Sequence, residues 1–178
     1  YRKVVKIIMS TKELAKSALF AAIISVFSVI TIKIGVVPIT LSVFAVLLTA
    51  VVAGAKVGTA ATLVYILIGA VGLPVFSGFR GGISVLAGPT GGYIISYIFM
   101  AIIVGVASNK TNNIIIRLAA CVVSVALCYA LGTVQYMIIA QKGLAESLIA
   151  CVYPFIAVDL VKCAAAVLLG GRLKKLLP

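Results

Sequence analysis

Long apolar runs recur along this chain, and short segments that carry charge, glycine or proline separate them. Of its 178 residues, 64% are hydrophobic and only 10% are charged, whereas soluble domains are about half apolar and about a quarter charged. A soluble fold of this size has too little interior to bury so much apolar surface. Lipid must therefore be the solvent for much of the chain, and the composition predicts an integral membrane protein.

Six apolar runs are candidates for membrane-spanning helices, each of which needs about 20 mostly apolar residues. We therefore predict an all-α bundle of six transmembrane helices that forms a single membrane domain over residues 1–178, with 1–13 as a basic lead. The second and third runs are short for a full span, and a further short helix is predicted at 144–153. The predicted spans are 14–32, 39–53, 59–72, 93–107, 114–140 and a last one that begins at Pro154.

The basic residues predict how the bundle is oriented, because Lys and Arg accumulate on the cytoplasmic side of membrane proteins. With both termini in the cytoplasm, eleven of the fifteen basic residues fall inside and three fall outside, while Lys162 lies within a span. An odd number of spans would remove this bias of basic residues toward the cytoplasmic side. The net charge of +12 would also suit a nucleic-acid binder, but charges at the ends of apolar runs indicate membrane topology instead. The three outer residues are Lys33, Arg80 and Lys142.

The segment 73–92 is the longest irregular stretch, and the predicted topology places it outside, between the third and fourth spans. It holds six of the sixteen glycines and two of the five prolines, so continuous helix is not expected there. It is also apolar, which indicates a loop folded into protein as a lid or re-entrant segment. Its one charge, Arg80, is either a solvated loop residue or a clamp for a carboxylate.

Asp159 and Lys162 lie inside the last apolar run of a chain with only three acidic residues. Their spacing of three places them on one helix face, and each would cost about 2.5–3.5 kcal/mol at a bilayer centre. They form either an ion pair that fixes helix packing or a polar anchor for a ligand. As an anchor, the carboxylate would accept hydrogen bonds from N–H groups of the ligand, and the ammonium would donate hydrogen bonds to it. We favour the anchor, because ionisable residues inside membranes usually mark functional sites.

No set of catalytic residues is evident in the sequence. The chain has no histidine and no nucleotide-phosphate motif, and its other acids, Glu13 and Glu146, lie in separate segments. The four cysteines show no C-x-x-C spacing, and we interpret them as small buried hydrophobic residues. We therefore expect no enzyme, no metal site and no cofactor, and any active transport must draw its energy from elsewhere.

Two further features have alternative interpretations. Tyr93 follows "GPTGG" at the start of a predicted helix, where it is either an interfacial aromatic anchor or part of a helix start whose N–H groups hold an anion.

In the first span, Ala15, Ala18 and Ala22 form a stripe of small residues. Such spacing lets helices approach closely, either within the bundle or against another membrane subunit.

Four motifs together resemble a known family: "VPITLSVFAVLLTAVVAGAKVG", "YILIGAVGLPVFSG", "GPTGGYIISY" and "PFIAVDLVK". In order and spacing, over about residues 15–170, they are similar to the biotin-specific substrate-binding subunit of energy-coupling factor (ECF) transporters, the BioY family. The resemblance implies a six-helix membrane bundle whose outward pocket binds biotin. It also implies two kinds of partner, a transmembrane coupling protein and two cytoplasmic ATPases, and a prokaryotic cell membrane as the location.

The resemblance also implies roles for particular residues. Asp159 and Lys162 match the family's ligand-contacting pair, and Ala18 with Ala22 fits its docking motif on the first helix. The sequence departs from the family at Ser42, where a glutamine is common, at Ala157–Val158, usually Pro-Gly, and at Phe79 and Arg80, usually small residues.

The chemistry of biotin is compatible with these residues. Asp159 can accept from the ureido N–H groups and Lys162 can donate to a nearby acceptor such as the ureido carbonyl. Aromatic side chains would cover the rings, and Arg80 or backbone N–H groups near Thr90 could meet the carboxylate. The predicted substrate-binding residues are Asp159, Lys162, Tyr93, Arg80, Phe79, Ser42 and Thr90, and the predicted docking residues are Ala15, Ala18 and Ala22.

Three alternatives remain open at this point. The chain could be a related subunit for another vitamin, or a self-sufficient secondary transporter in which Asp159 couples transport to protons. It could also be a scaffold whose ion pair is purely structural. How biotin would be oriented does not follow from the sequence.

Overall fold

The computed structural model describes residues 9–32 and 37–176, and within them the fold is all-α, as predicted. Two short strands, β1 and β2, pair in antiparallel fashion before the second helix. Residues 1–8 of the predicted basic lead and Lys33 lie outside the described residues. The elements are α1 (Thr11–Val29), β1 (Thr31–Ile32), β2 (Ile39–Thr40), α2 (Ser42–Ala70), α3 (Ile83–Ala87), α4 (Gly91–Lys110), α5 (Ile114–Ala140), α6 (Leu144–Cys151) and α7 (Tyr153–Leu176).

The first helix begins earlier than predicted, because a capping box fixes its start at Thr11. The Ser10 hydroxyl accepts from the Glu13 N–H at 3.2 Å, and the Glu13 carboxylate accepts from the Ser10 N–H at 2.8 Å. These bonds satisfy backbone donors that a helix start leaves unpaired. The end of the predicted 1–13 lead is therefore the first turn of α1, and Glu13 also pairs with Lys56 of α2 at 2.9 Å.

The second and third predicted spans form the two arms of α2, which are joined at Gly54. Gly54 has φ 75° and ψ −177°, a conformation outside the helical region that glycine adopts readily. A Cβ built on Gly58 would lie 3.2 Å from the Ala50 Cα, although eight helical residues span about 12 Å along an axis. The arms therefore fold back on each other, and the predicted break at "GAKVG" is where the chain reverses.

Helix α4 covers this reversal closely. A Cβ built on Gly105 would lie 2.4 Å from the Ala55 Cα, and one built on Gly54 would meet the Asn109 side chain. Glycine at both positions lets the two backbones touch. Backbone exposed at such a turn must be covered by protein if it lies in a membrane, and α4 supplies that cover.

Four helices are long and apolar enough to cross a membrane: α2, α4, α5 and α7. Helix α1 has 19 residues and carries Lys12, Glu13 and Lys16 in its first two turns, which separates it from those four. Helix α2 lies at the centre of the bundle and packs against α1, α4 and α7, while α5 packs against α4. The core is therefore built around α2, and α5 exposes more of its surface.

Candidate ligand-binding site

A cavity lies beside the starts of α2, α4 and α7, at the end of the bundle that carries the strands and the glycine-rich segment. Its empty volume is about 680 Å³ when the space at its open mouth is included. Its lining combines apolar and aromatic side chains with a few polar groups. The apolar lining residues are Val37, Pro38, Val43, Phe76, Val85, Ile94 and Phe155.

Asp159 and Lys162 of α7 contribute a buried ion pair to this cavity. The Lys162 ammonium donates to the Asp159 carboxylate at 2.8 Å, and their side chains are only 8% and 5% exposed. Lys162 also donates to the Thr40 carbonyl of β2 at 2.8 Å, and the Tyr129 hydroxyl of α5 donates to the other Asp159 oxygen at 2.6 Å. The pair thus joins α7 to β2 and α5, and both charges are compensated.

The ion pair keeps hydrogen-bonding capacity for a ligand. An ammonium has three donors, and a carboxylate has about four acceptor positions. Lys162 uses two donors in the described structure and Asp159 accepts two bonds. Because both residues line the cavity, a ligand there can meet a donor and an acceptor side by side.

A row of hydroxyl groups continues the polar surface from the ion pair. Ser42 shares hydrogen bonds with the Thr40 hydroxyl and, at 2.7 Å, with the Tyr97 hydroxyl of α4. On another wall, Ser28 of α1 and Tyr65 of α2 share a bond of 2.6 Å. Hydroxyl groups both donate and accept, so these walls can adapt to either end of a polar ligand.

The glycine-rich segment forms a tight turn at the mouth of the cavity. The Phe76 N–H donates to the Arg80 carbonyl at 2.9 Å, and the Arg80 N–H donates back at 3.3 Å. The Ser77 hydroxyl bonds to that of Thr31 in β1 at 3.1 Å, which ties the turn to the strands. Phe79 lies at the tip with φ 57°, is 70% exposed, and is not among the residues that line the cavity.

Arg80 lines the main cavity and also a smaller outer pocket. Its Nε donates to the Ser77 carbonyl at 3.2 Å, which orients the guanidinium. Thr90, at the N-cap of α4, lines both pockets as well. The mouth therefore has one positive side chain and a helix start next to each other, an arrangement that suits an anion.

Gln135 of α5 holds the segment between α3 and α4 in place. Its side-chain amide donates to the carbonyls of Leu86 and Gly88, both at 2.8 Å. Tyr93 packs nearby, where a Cβ on Gly132 would lie 2.3 Å from its ring, and its hydroxyl bonds to Thr133 at 3.3 Å. Helix α5 thus positions one wall of the cavity through contacts with α4 and the preceding turn.

Six of the seven predicted substrate-binding residues line this one cavity, and Phe79 is the seventh. Sequence analysis missed Tyr97, Tyr129 and Gln135. Tyr97 ends the motif "GPTGGYIISY" but was not singled out, and Tyr129 and Gln135 lie on α5, outside every motif. The four cysteines are buried and unoxidised. The residues that the structure brings together are Asp159, Lys162, Tyr93, Arg80, Ser42 and Thr90.

The predicted docking residues lie on the surface of the described structure. Ala15, Ala18 and Ala22 are exposed, whereas the opposite face of α1, including Ser17 and Ala21, is buried against the bundle. The exposed stripe is therefore not used for packing among the described helices.

The geometry defines a multi-pass membrane protein with a small-molecule cavity at one end of its helix bundle. The chain belongs to the BioY family, whose model matches residues 2–178. It is 41% identical to the biotin transporter BioY of Thermotoga maritima over 168 residues, which cover 93% of this chain and 97% of that protein. It is 40% identical to the probable biotin transporter BioY of Pyrococcus horikoshii, with 93% and 98% covered.

A solved structure has the same fold. The crystal structure of the S-component for biotin from an ECF-type ABC transporter superposes with a TM-score of 0.86 at 28% sequence identity. The match covers 94% of this chain and 95% of the other. The resemblance predicted from the four motifs is confirmed.

Proposed function

We propose that this chain is the biotin-binding subunit, or S component, of an ECF vitamin uptake transporter. The observation that carries the proposal is the cavity in which Asp159 and Lys162 present an acceptor and a donor side by side, in a chain of the BioY family. The subunit captures biotin and passes it inward. It binds substrate and catalyses no reaction.

Biotin matches the cavity in its chemistry. Its ureido ring has two N–H donors and a carbonyl acceptor, which complement Asp159 and Lys162. Its ring system is apolar enough to pack against aromatic walls such as Tyr93, and its carboxylate suits the positive mouth at Arg80 and Thr90. Phe79, which lies outside the cavity lining, would contact biotin only if the turn at the mouth moved.

The proposed topology has six membrane crossings with both termini in the cytoplasm. The reversal at Gly54 supports an even number, because it turns α2 into two antiparallel arms. Together with α1, α4, α5 and α7 these arms make six crossings. The cavity then opens to the outside, and the ends of α4 and α7 with their basic residues face inward.

The partners in this proposal are a transmembrane coupling protein and two cytoplasmic ATPases. Support comes from α1, whose alanine stripe is exposed on the described structure and offers a flat surface to another helix. The chain itself has no nucleotide-binding motif, so the energy for uptake comes from those partners.

The test is calorimetric titration of the purified protein with biotin and, separately, with thiamine and riboflavin. We expect biotin alone to bind. Asp159→Asn should weaken binding by about 10- to 100-fold, because a hydrogen bond to a charged group contributes about 1.5–3 kcal/mol. Glu13→Gln removes an acid outside the cavity and is the matched control. Absence of biotin binding, or equal binding of the three vitamins, would contradict the proposal.

A proton-coupled secondary transporter is the alternative function. It requires Asp159 to take up and release protons, yet both carboxylate oxygens are held by Lys162 and Tyr129. Uptake of biotin by proteoliposomes that contain this chain alone, driven by a pH gradient, would support the alternative. Uptake that requires the ATPases would support the S component.

A further inference from the structure

Each acidic residue of the chain already has a lysine partner. The sequence contains only three Asp and Glu residues, and every one of them lies within 4 Å of an ammonium. No Asp or Glu side chain is therefore left to neutralise another group of cations. The pairs are Glu13–Lys56 at 2.9 Å, Glu146–Lys142 at 3.2 Å and Asp159–Lys162 at 2.8 Å.

Two cations nevertheless meet at the end of α4 that lies away from the cavity. The Lys174 ammonium of α7 donates to the Ser108 carbonyl at 2.6 Å, and the Arg117 guanidinium of α5 donates to the same oxygen at 3.3 Å. Arg117 is only 3% exposed, and its other bonds go to the Thr111 carbonyl at 2.9 Å and to the Asn112 amide oxygen. All of these acceptors are neutral.

The carbonyl groups of α4 compensate this charge only in part. The end of a helix carries about half a negative elementary charge, whereas two full positive charges converge on it here. The Asp and Glu side chains and the helix end therefore leave part of this positive charge uncompensated. In addition, the Ser108 hydroxyl is buried and has no hydrogen-bond partner among the described residues.

The cluster lies at the ends of three helices that are long and apolar enough to span a membrane. Ser108 and Lys174 are in the last turns of two helices that are apolar enough to span a membrane, and Arg117 is in the first turns of a third. Lys174 follows Lys162 by twelve helical residues, or about 18 Å, so this cluster is separate from the ligand cavity. Basic pockets between spanning helices bind anionic headgroups on the cytoplasmic side.

We propose that Lys174 and Arg117 form a binding site for the phosphate group of an anionic phospholipid. The phosphate oxygens accept from Lys174 and from the guanidinium, while the acyl chains lie along the apolar surface of the bundle. The lipid supplies the negative charge that the Asp and Glu side chains do not supply and ties the inner ends of α4, α5 and α7 together. The site is independent of whether the cavity holds biotin.

The experiment uses native mass spectrometry and thermal unfolding of the full chain in detergent, with phosphatidylglycerol, phosphatidylcholine or inorganic phosphate added. Phosphatidylglycerol should be retained and should raise the melting temperature, while phosphatidylcholine should do neither. Lys174→Gln should reduce retention of phosphatidylglycerol about fivefold, the effect of roughly 1 kcal/mol per basic residue near a membrane surface. Lys174→Arg keeps the charge and should retain the lipid.

Lys110→Gln is the matched control, because Lys110 is exposed at the same end of α4 and lies outside the cluster. It removes the same charge and should change retention less than twofold. Equal losses in Lys174→Gln and Lys110→Gln, or equal retention of both lipids, would overturn the proposal. So would equal stabilisation by inorganic phosphate alone, which would indicate a site for free anions. Normal lipid retention by Lys174→Gln with lost binding of partner subunits would assign the cluster to a protein interface instead.

Discussion

Two ion pairs in this molecule have the same chemistry and nearly the same length but different surroundings. Asp159 and Lys162 meet at 2.8 Å, and Glu13 and Lys56 meet at 2.9 Å. The side chains of the first pair are at most 8% exposed, whereas those of the second are 33% and 41% exposed. The distance between the two charged groups therefore says little about how much an ion pair contributes to the stability of the fold.

The difference follows from the cost of removing charge from water. Charges in a low-dielectric interior lose their hydration, and removal of one partner leaves the other uncompensated. Exposed pairs are screened by solvent and contribute little. The buried pair also has Tyr129 and Thr40 as further partners, so it is part of a network that shapes the cavity. The exposed pair connects α1 to α2.

The largest effect is expected when one member of the buried pair is removed. Lys162→Met leaves the Asp159 carboxylate buried beside Tyr129, and the expected destabilisation is about 3–5 kcal/mol. Biotin binding should be lost at the same time. Thermal unfolding and titration calorimetry measure the two effects.

The double variant Asp159→Asn/Lys162→Met separates stability from binding. Without the unpaired charge it should recover most of the lost stability, because replacing both partners costs less than removing one. Biotin binding should remain absent. If binding returned with stability, the pair would be structural and would not contact the ligand.

Removal of one bond from the buried network should have a smaller effect. Tyr129→Phe deletes the hydroxyl that donates to Asp159 at 2.6 Å and should weaken biotin binding about tenfold, since such a bond to a charged group contributes about 1.5 kcal/mol or more. Tyr136→Phe is the control, because Tyr136 is buried on the same helix but does not line the cavity. Equal titration curves for both variants would contradict the role of Tyr129.

A still smaller effect is expected for Gln135, which acts on the cavity through the backbone. Gln135→Leu removes both donors to the Leu86 and Gly88 carbonyls, so the wall that contains Thr90 should become less well ordered. We expect about fivefold weaker binding, equivalent to roughly 1 kcal/mol, and faster hydrogen exchange in 83–90. Faster exchange without a change in affinity would show that this wall does not contribute to binding.

The exposed pair should give the smallest effect, and that effect should depend on pH. The hydrogen bond from Lys56 lowers the pKa of Glu13 below its ordinary value of 4.5. A lowered pKa in the folded state means that the pair stabilises the fold above pH 4.5 and loses this contribution as the pH falls through the lowered value. The melting temperature of Glu13→Gln should therefore differ little from that of wild type at pH 7, and the difference should shrink further as the pH falls through the lowered pKa of Glu13. A large difference in melting temperature at pH 7 would contradict the conclusion that the exposed pair contributes little to stability.

Sequence patterns predicted the features that depend on local spacing. The three-residue interval between Asp159 and Lys162 put them on one face, and the structure shows them paired. The break at "GAKVG" and the irregular segment 73–92 were found from glycine content, because glycine marks the places where the backbone leaves regular structure.

The remaining features depend on contacts between distant segments. Tyr129 reaches Asp159 across 30 residues, and the Thr40 carbonyl reaches Lys162 across 122. A carbonyl group has no sequence signature, and one tyrosine in an apolar helix looks like any other. Phe79 was predicted as a cavity residue because it is aromatic, yet the positive φ of the turn places it at the tip. Backbone geometry, and not residue type, decided its position.

The aromatic lining of the cavity gives the protein an optical property. The chain has no tryptophan and seven tyrosines, and four of these, Tyr65, Tyr93, Tyr97 and Tyr129, line the cavity. More than half of the tyrosines therefore lie beside the ligand site, with no indole signal to mask their emission. Tyrosine fluorescence is thus the intrinsic signal with which to follow occupancy without a label.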